Sequence, residues 1–307
     1  MSVSQTGPGT GRTKAMTQEK LMNAQTEKSE HRSIANRRIH EVARRQSAID
    51  LNCDPDDFLS DENRLVLSAP HPQARRYLSL PFECNLVSYG NNIVASVNEE
   101  TQEIVKTYIT AYPAAHCFET PNLHVLNEAL SKLDLAVCFM AEYFLPDLNS
   151  LKELPCKYDL KLLGPPDFES LYQPQWSNAL CEKRKHLDML GVGAYDKGGL
   201  IALAGASADC DSMWQIGIDV LPEYRTCGIG SALTARLALE ILKRGKIPFY
   251  CAAWSNLKSV RNALRSGFRP TWVEMTAKQK SFVAEMNRIP ENPLPYSCCS
   301  RTRRGCP

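Results

Sequence analysis

The run Val220-Leu221-Pro222-Glu223-Tyr224-Arg225-Thr226-Cys227-Gly228-Ile229-Gly230-Ser231-Ala232-Leu233 constrains this chain more than any other segment. The alternating apolar stretch that enters it reads as a strand, Met213 to Leu221, which Pro222 ends because proline cannot donate to a ladder. An apolar helical run follows. Between the two, Gly228 and Gly230 remove side chains that would keep a ligand off the backbone. The free N–H groups of a helix start and the positive end of its dipole then converge on the same spot. A strand-to-helix turn of this kind is an anion cradle, and a phosphate fits it.

The common nucleotide loops do not match. No Gly-Lys-Ser/Thr follows, and Leu233 stands where a dinucleotide fingerprint has its third glycine. The next expected strand, Pro248 to Trp254, also ends without the acidic residue that holds a ribose hydroxyl. What remains is Arg-x-x-Gly-x-Gly at Arg225, Gly228 and Gly230. That pattern resembles the acetyl-CoA pyrophosphate loop of the GNAT superfamily of N-acetyltransferases. Further on, Trp254-Ser255-Asn256 opens the helical run Leu257 to Ser266, closed by Gly267-Phe268, which is similar to the family's Asn-x-x-Ala/Ser-to-Gly-Phe segment. The resemblance covers roughly residues 156 to 280. It implies acetyl-CoA as acyl donor, held by Ile218 and Val220 on the strand, by Arg225, Thr226, Cys227, Gly228, Ile229, Gly230 and Ser231 in the cradle, and by Asn256 and Ser259 beyond it.

The second half reads as a mixed α/β domain. Strand Tyr158 to Leu163 leads to helices near Phe168 to Tyr172 and Ser177 to Leu187. Strands Met189 to Tyr195, Leu200 to Ser207 and Met213 to Leu221 follow, then helix Gly228 to Arg244, strand Pro248 to Trp254, helix Asn256 to Arg265 and strand Arg269 to Thr276. This order matches the GNAT plan. In the first half, strands are expected at Asn85 to Ser88, Asn92 to Val97 and Ala136 to Leu145, with helices at Glu99 to Tyr112 and Leu123 to Leu133. Residues 1–45, polar and basic, read as a disordered or helical leader; 46–152 as a degenerate GNAT-like domain; 153–280 as the catalytic domain; 281–307 as a disordered tail.

The two halves look related. Cys117, Asn122-Leu123 and Ala129-Leu130 recur at the same offsets as Cys251, Asn256-Leu257 and Ala263-Leu264, and each set precedes a strand with an internal glutamate, Glu142 or Glu274. A tandem GNAT arrangement is the expectation, with the cradle lost from the first copy.

A net charge of +2 gives neither a nucleic-acid footprint nor attraction to anionic membranes. No apolar run reaches transmembrane length and the charged N-terminus has no signal-peptide core, so the cytoplasm is expected. Twelve cysteines would suggest a disulfide scaffold, yet most are scattered singly through apolar segments. Without Cys-x-x-Cys or paired histidines, no metal is expected.

Acyl transfer from a thioester to an amine calls for a base on the amine and a proton for the departing thiolate. Asp219, between Ile218 and Val220, is the first candidate base, with Glu182, Asp209 and Asp211 as alternatives. In the family the proton donor is often a tyrosine four residues before the Gly-Phe. Here that position is Ala263, which leaves Tyr250, Cys251, Tyr224 or solvent. Trp176, Asn178, Glu182 and Arg184 are expected to line the acceptor side. The reading is therefore an acetyl-CoA-dependent N-acetyltransferase acting on a small-molecule or peptide amine. A CoA-binding regulatory module without turnover and an aminoacyl transferase on a tandem GNAT scaffold stand as alternatives.

Overall fold

The computed structural model describes residues 10–288. Ten strands form one mixed sheet: β1 Arg64–Leu67, β2 Cys84–Ser88, β3 Val94–Val97, β4 Leu135–Pro146, β5 Asp159–Leu163, β6 Asp188–Asp196, β7 Gly199–Ser207, β8 Met213–Val220, β9 Ile247–Ala252 and β10 Phe268–Gln279. Their order across the sheet is β1-β3-β2-β10-β4-β9-β8-β7-β6-β5. The helices are α1 Thr10–Leu51, α2 Gln102–Ala111, α3 Thr120–Ser131, α4 Pro165–Phe168, α5 Ile229–Lys243, α6 Leu257–Arg265 and α7 Lys280–Met286.

The last strands of the two halves are exchanged. β4, from the first half, lies between β9 and β10, and β10, from the second, lies between β2 and β4. Alternation along these strands divides the core into two layers. On one face Phe144, Tyr250 and Phe268 pack with Leu233, Leu237 and Ala263 of α5 and α6. The same face carries α2 and α3, through Val105, Ile109, Leu126 and Leu130 against Leu86 and Met275. On the other face Tyr143, Phe249 and Trp272 pack against Ile39, Ala43 and Leu51 of α1.

Several expectations change. The N-terminal segment is packed well before residue 45. Ile39 and Ala43 are buried, and Asn36 donates to Asp147 Oδ1 at 3.0 Å while accepting from the Leu148 amide at 2.9 Å. The expected leader within residues 1–9 and the expected tail from 289 on lie outside the described residues; residues 281–286, where that tail was expected to begin, belong to α7. The pair of helices between β5 and β6 is replaced by α4 and three 3-10 turns, Glu169–Leu171, Pro174–Trp176 and Glu182–Leu187. Pro165 and Pro174 stand at N1 of short turns, with Pro166 at N2 of the first, rather than continuing a helix.

The proposed internal equivalences also part company. Cys117 sits in the 3-10 turn Ala114–Phe118, following Pro113, whereas Cys251 is in β9. In the β4–β10 ladder Glu142 lies opposite Val273 and Glu274 opposite Ala141, so the two glutamates stand on opposite faces. Short shared spacing in the sequence did not require shared geometry. Strand β1, outside the expected set, pairs parallel with β3 at the sheet edge.

Candidate active site

Strands β8 and β9 run parallel and stay paired for three rungs, Met213 with Ile247, Trp214 with Pro248 and Gln215 with Phe249. Beyond them the strands part. β8 remains on β7 as far as Val220 opposite Ala202, while Tyr250, Cys251 and Ala252 of β9 turn to Phe144, Tyr143 and Glu142 of β4. The result is a V-shaped opening in the sheet between Ile216–Val220 and Tyr250–Ala252. Gln215 Nε2 donates to Cys251 Sγ at 2.9 Å across its apex.

The cradle stands at the same end. Val220 leads into Leu221, the turn Pro222–Tyr224, and then Arg225 to Gly228, all four of them exposed. Thr226 has φ +68° and Gly228 φ +78°, two left-handed residues that fold the loop back to the helix start. Gly228 is the N-cap of α5 and has no side chain to cap it, which leaves the first-turn amides of Ile229, Gly230 and Ser231 to a ligand. Gly230 is closely packed. A Cβ there would stand 3.1 Å from Asn262 Oδ1 and 3.6 Å from Val220 Cγ2. Arg225 Nε donates to the Val220 carbonyl at 3.0 Å, tethering an exposed guanidinium beside the loop. An anion of pyrophosphate type fits this arrangement of amides, glycine and cation.

Asn256 caps α6, its side chain accepting from the Ser259 amide at 3.3 Å. Ser259 Oγ in turn shares a 2.7 Å hydrogen bond with the phenol of Tyr250, so β9 and the first turn of α6 are linked at the opening. Ala263 is fully buried, and its small side chain is part of the packing between α6 and the sheet. A tyrosine does not fit there. Of the alternative proton donors, Tyr224 gives its phenol hydrogen to Asp196 at 3.1 Å, and that bond raises its pKa. It is engaged on the outer side of the loop. Tyr250 is the phenol at the splay.

Asp219 lies on the face opposite Ile218 and Val220. Its Oδ2 accepts from the backbone amides of Asn178 and Ala179 at 2.8 and 2.9 Å, and its Oδ1 accepts from Asn178 Nδ2 at 2.5 Å. The carboxylate therefore fixes the loop after Trp176, which packs with Ala179, Leu180 and Leu203. Glu182 is exposed at the start of its 3-10 turn. Asp209 is buried, accepting from Ser207 Oγ at 2.9 Å with the Arg184 guanidinium 3.6 Å away, and Asp211 is exposed and paired with Arg76 at 2.5 Å.

The first half packs against the segment that carries Arg184 and Asp209. Tyr77 receives the Arg184 guanidinium over its ring at 5.4 Å, and Arg76 bonds the Asp209 and Ala208 carbonyls. Behind them Arg75 is wholly buried between Asp50 of α1, at 2.5 Å, and Glu274 of β10, at 2.6 Å. This triad was not legible in the sequence, because its members are distant in the chain. Glu142 is half-buried, on the face of Phe144 and Tyr250, and burial pushes its carboxyl above the usual carboxylate range. Among the described residues no group of His, Cys, Asp and Glu could hold a metal, and no helix is long and apolar enough to cross a membrane.

Residues 90–271, more than half of the chain, match the family described as GNAT acetyltransferase. No curated protein sequence matches. Solved structures with partial similarity include a GNAT-family protein from Novosphingobium aromaticivorans DSM 12444, 19% identical over 47% of this chain and 66% of that one, with a TM-score of 0.36. A GCN5-related N-acetyltransferase-like protein from Streptococcus suis 89/1591 is 20% identical over 51% of this chain and 69% of its own, with a TM-score of 0.39. The aminoglycoside N-acetyltransferase AAC(6')-Iy, solved in complex with CoA, is 20% identical over 38% of this chain and 93% of its own, with a TM-score of 0.30.

Proposed function

The chain belongs to the GNAT acetyltransferase family, and from that premise we propose that it transfers an acetyl group from acetyl-CoA to a primary amine. The observation that carries this reading is the parting of β8 and β9 at the same end of the sheet as the uncapped first turn of α5. A pyrophosphate seated on the amides of Ile229, Gly230 and Ser231, with Arg225 beside it, directs an extended arm toward the opening, where Asn256 and Ser259 border its path. The backbone of Ile218 and Val220 on the parted edge offers donors for the carbonyl oxygen on which charge develops. Tyr250 is assigned the proton for the leaving sulfur, and Asp219 the positioning of the acceptor-side loop through Asn178 and Ala179. Glu182, exposed at the rim, is placed to meet the acceptor rather than the thioester.

A thiol-release assay with acetyl-CoA and a panel of primary amines, run beside calorimetric titration of acetyl-CoA, tests the proposal. Saturable binding together with amine-dependent thiol release is expected. Binding without release from any amine would favour the non-catalytic CoA-binding reading, which the alanine at position 263 keeps in view.

A further inference from the structure

β4 is paired by β10 along its whole length, but β9 pairs with it only at Glu142, Tyr143 and Phe144. β9 ends at Ala252 and the chain turns away, the Asn256 amide bonding the Ala253 carbonyl at 2.8 Å before α6 begins. The stretch Ala136-Val137-Cys138-Phe139-Met140-Ala141 therefore has a strand on one side only, although β4 lies within a ten-stranded sheet. All six residues are partly exposed. Edges open to water are normally blunted by charge or proline; this one carries neither.

The hydrogen-bond pattern fixes which groups this edge offers. The Asn98 amide bonds the Glu83 carbonyl at 3.3 Å, so alternation along β2 leaves Cys84, Leu86 and Ser88 to bond β10 at Ala277, Met275 and Val273. Glu274 and Thr276 then bond β4 at Ala141 and Phe139. Met140, between those two, turns its N–H and C=O to the open side. Further along, the Val137 amide is already taken by Asn127 Oδ1 at 2.8 Å, which leaves Met140 as the position with both groups to offer.

The open edge borders the active-site opening. β8 and β4 flank β9 on its two sides, and where β9 ends the parted end of β8 and the unpaired part of β4 face the same gap. The acyl arm takes the β8 side in the reading above, which leaves the β4 side for the acceptor. Unpaired N–H and C=O groups in the plane of a sheet select an extended backbone rather than a compact amine. Large apolar side chains are exposed around the gap: Trp254 at 45% and Leu257 at 56% where the chain leaves β9, and Phe282 at 38%, edge-on to Phe139. Charge narrows the occupant further. Glu142 stands on the same face of β4 as Met140, half-buried, and among the described residues it has no hydrogen-bond or ion-pair partner. A carboxylate in that state costs free energy until a cation meets it.

We propose that the acceptor is a peptide that adds to β4 as an extended strand, its backbone paired with Met140 and a basic side chain directed at Glu142. The proposal rests on the acetyltransferase reading and names its substrate class. The peptide residue opposite Met140 lies diagonally from Glu142, about 7–8 Å away at the backbone, a gap that an arginine or lysine side chain spans. Glu142 binds in this arrangement and takes no part in proton transfer.

The test uses the full chain and synthetic hexapeptide amides of valine and threonine with a free α-amine, a single arginine being moved through the positions, with alaninamide as the compact amine. The hexapeptides should exceed alaninamide in kcat/KM by about 10-fold or more, and one arginine position should be best. Glu142→Gln should remove that arginine preference, about 3- to 10-fold and in KM rather than kcat. N-methylation of the best peptide should raise KM about 3- to 10-fold at alternate residues, whose N–H faces β4, and leave it unchanged at the residues between. Independently of turnover, the peptide together with CoA should slow hydrogen exchange at the Met140 amide, while Phe139 and Ala141, already bonded to β10, exchange slowly without it. Alaninamide as good as the peptides, equal effects of methylation at every residue, or an arginine preference that survives Glu142→Gln would overturn the proposal and leave the transferase reading in place. A protein that binds acetyl-CoA and acetylates neither peptide nor small amine would overturn the transferase reading, and exchange at Met140 would still decide the pairing.

Discussion

Gly230 of α5 and Asn262 of α6 occupy one space: a Cβ on the glycine would stand 3.1 Å from Asn262 Oδ1. That oxygen accepts from Ser231 Oγ at 3.1 Å, and the same side chain donates to Thr234 Oγ1 at 3.0 Å, so the amide of one helix is keyed into the start of the other. Gly230→Ala should push Asn262 from its place and cost about 1–3 kcal/mol. Gly228 has open space around its Cβ but φ +78°, so Gly228→Ala should cost about 1–2 kcal/mol through backbone strain alone. Thermal denaturation separates the two by the partner. Replacing Asn262 by Ala should relieve the first substitution and leave the second unchanged.

The residues of the cradle were legible in the sequence because the pattern is local. Two glycines after an arginine, a strand that alternates Ile218 and Val220 with a polar residue, and Asn256 at a helix start are all read within a few residues. The insertion of β4 between β9 and β10 was not legible, since it depends on pairing Glu142 to Phe144 with residues more than a hundred positions later. Nor was the packing of α1. Its buried side includes Gln46, Ser47 and Asp50 beside Ile39 and Ala43, so it reads as a solvated face until Arg75 is seen to pair with Asp50. Asp219 could be placed on the strand but not oriented, because its donors come from a loop that the sequence suggested was helical.

The Asp50–Arg75–Glu274 triad holds α1, the 75–77 loop and β10 together behind Tyr143, and Trp272 Nε1 adds a 2.9 Å bond to Glu274. Arg75→Met would leave two buried carboxylates facing apolar surroundings. The expected loss is about 3–5 kcal/mol in urea denaturation. Replacing all three members by apolar residues of similar volume should recover most of it, because the charges then leave together.

For Asp219→Asn, the expected effect follows from the donors it receives from Asn178 and Ala179. An asparagine offers one acceptor oxygen and turns an NH2 group toward at least one of the Asn178 and Ala179 amides. Stability should fall by about 1–3 kcal/mol, and KM for the amine should rise as the loop loosens. A fall in kcat with stability and KM unchanged would instead make Asp219 the base.

Tyr250 is tied to Ser259 at 2.7 Å, on the strand edge where the leaving sulfur is placed. Tyr250→Phe keeps the ring contacts with Phe144 and Phe268 and removes only the hydroxyl, so the stability cost should be about 1 kcal/mol. If the phenol protonates the sulfur, kcat should fall about 10²-fold or more, with acetyl-CoA affinity unchanged. Ser259→Ala should have a smaller effect, since it leaves the phenol in place. The decisive comparison uses an acetyl thioester whose thiol has a lower pKa. A better leaving group needs less help, so the gap between Tyr250→Phe and the wild type should narrow with it; a gap of constant size would assign Tyr250 to packing rather than proton transfer.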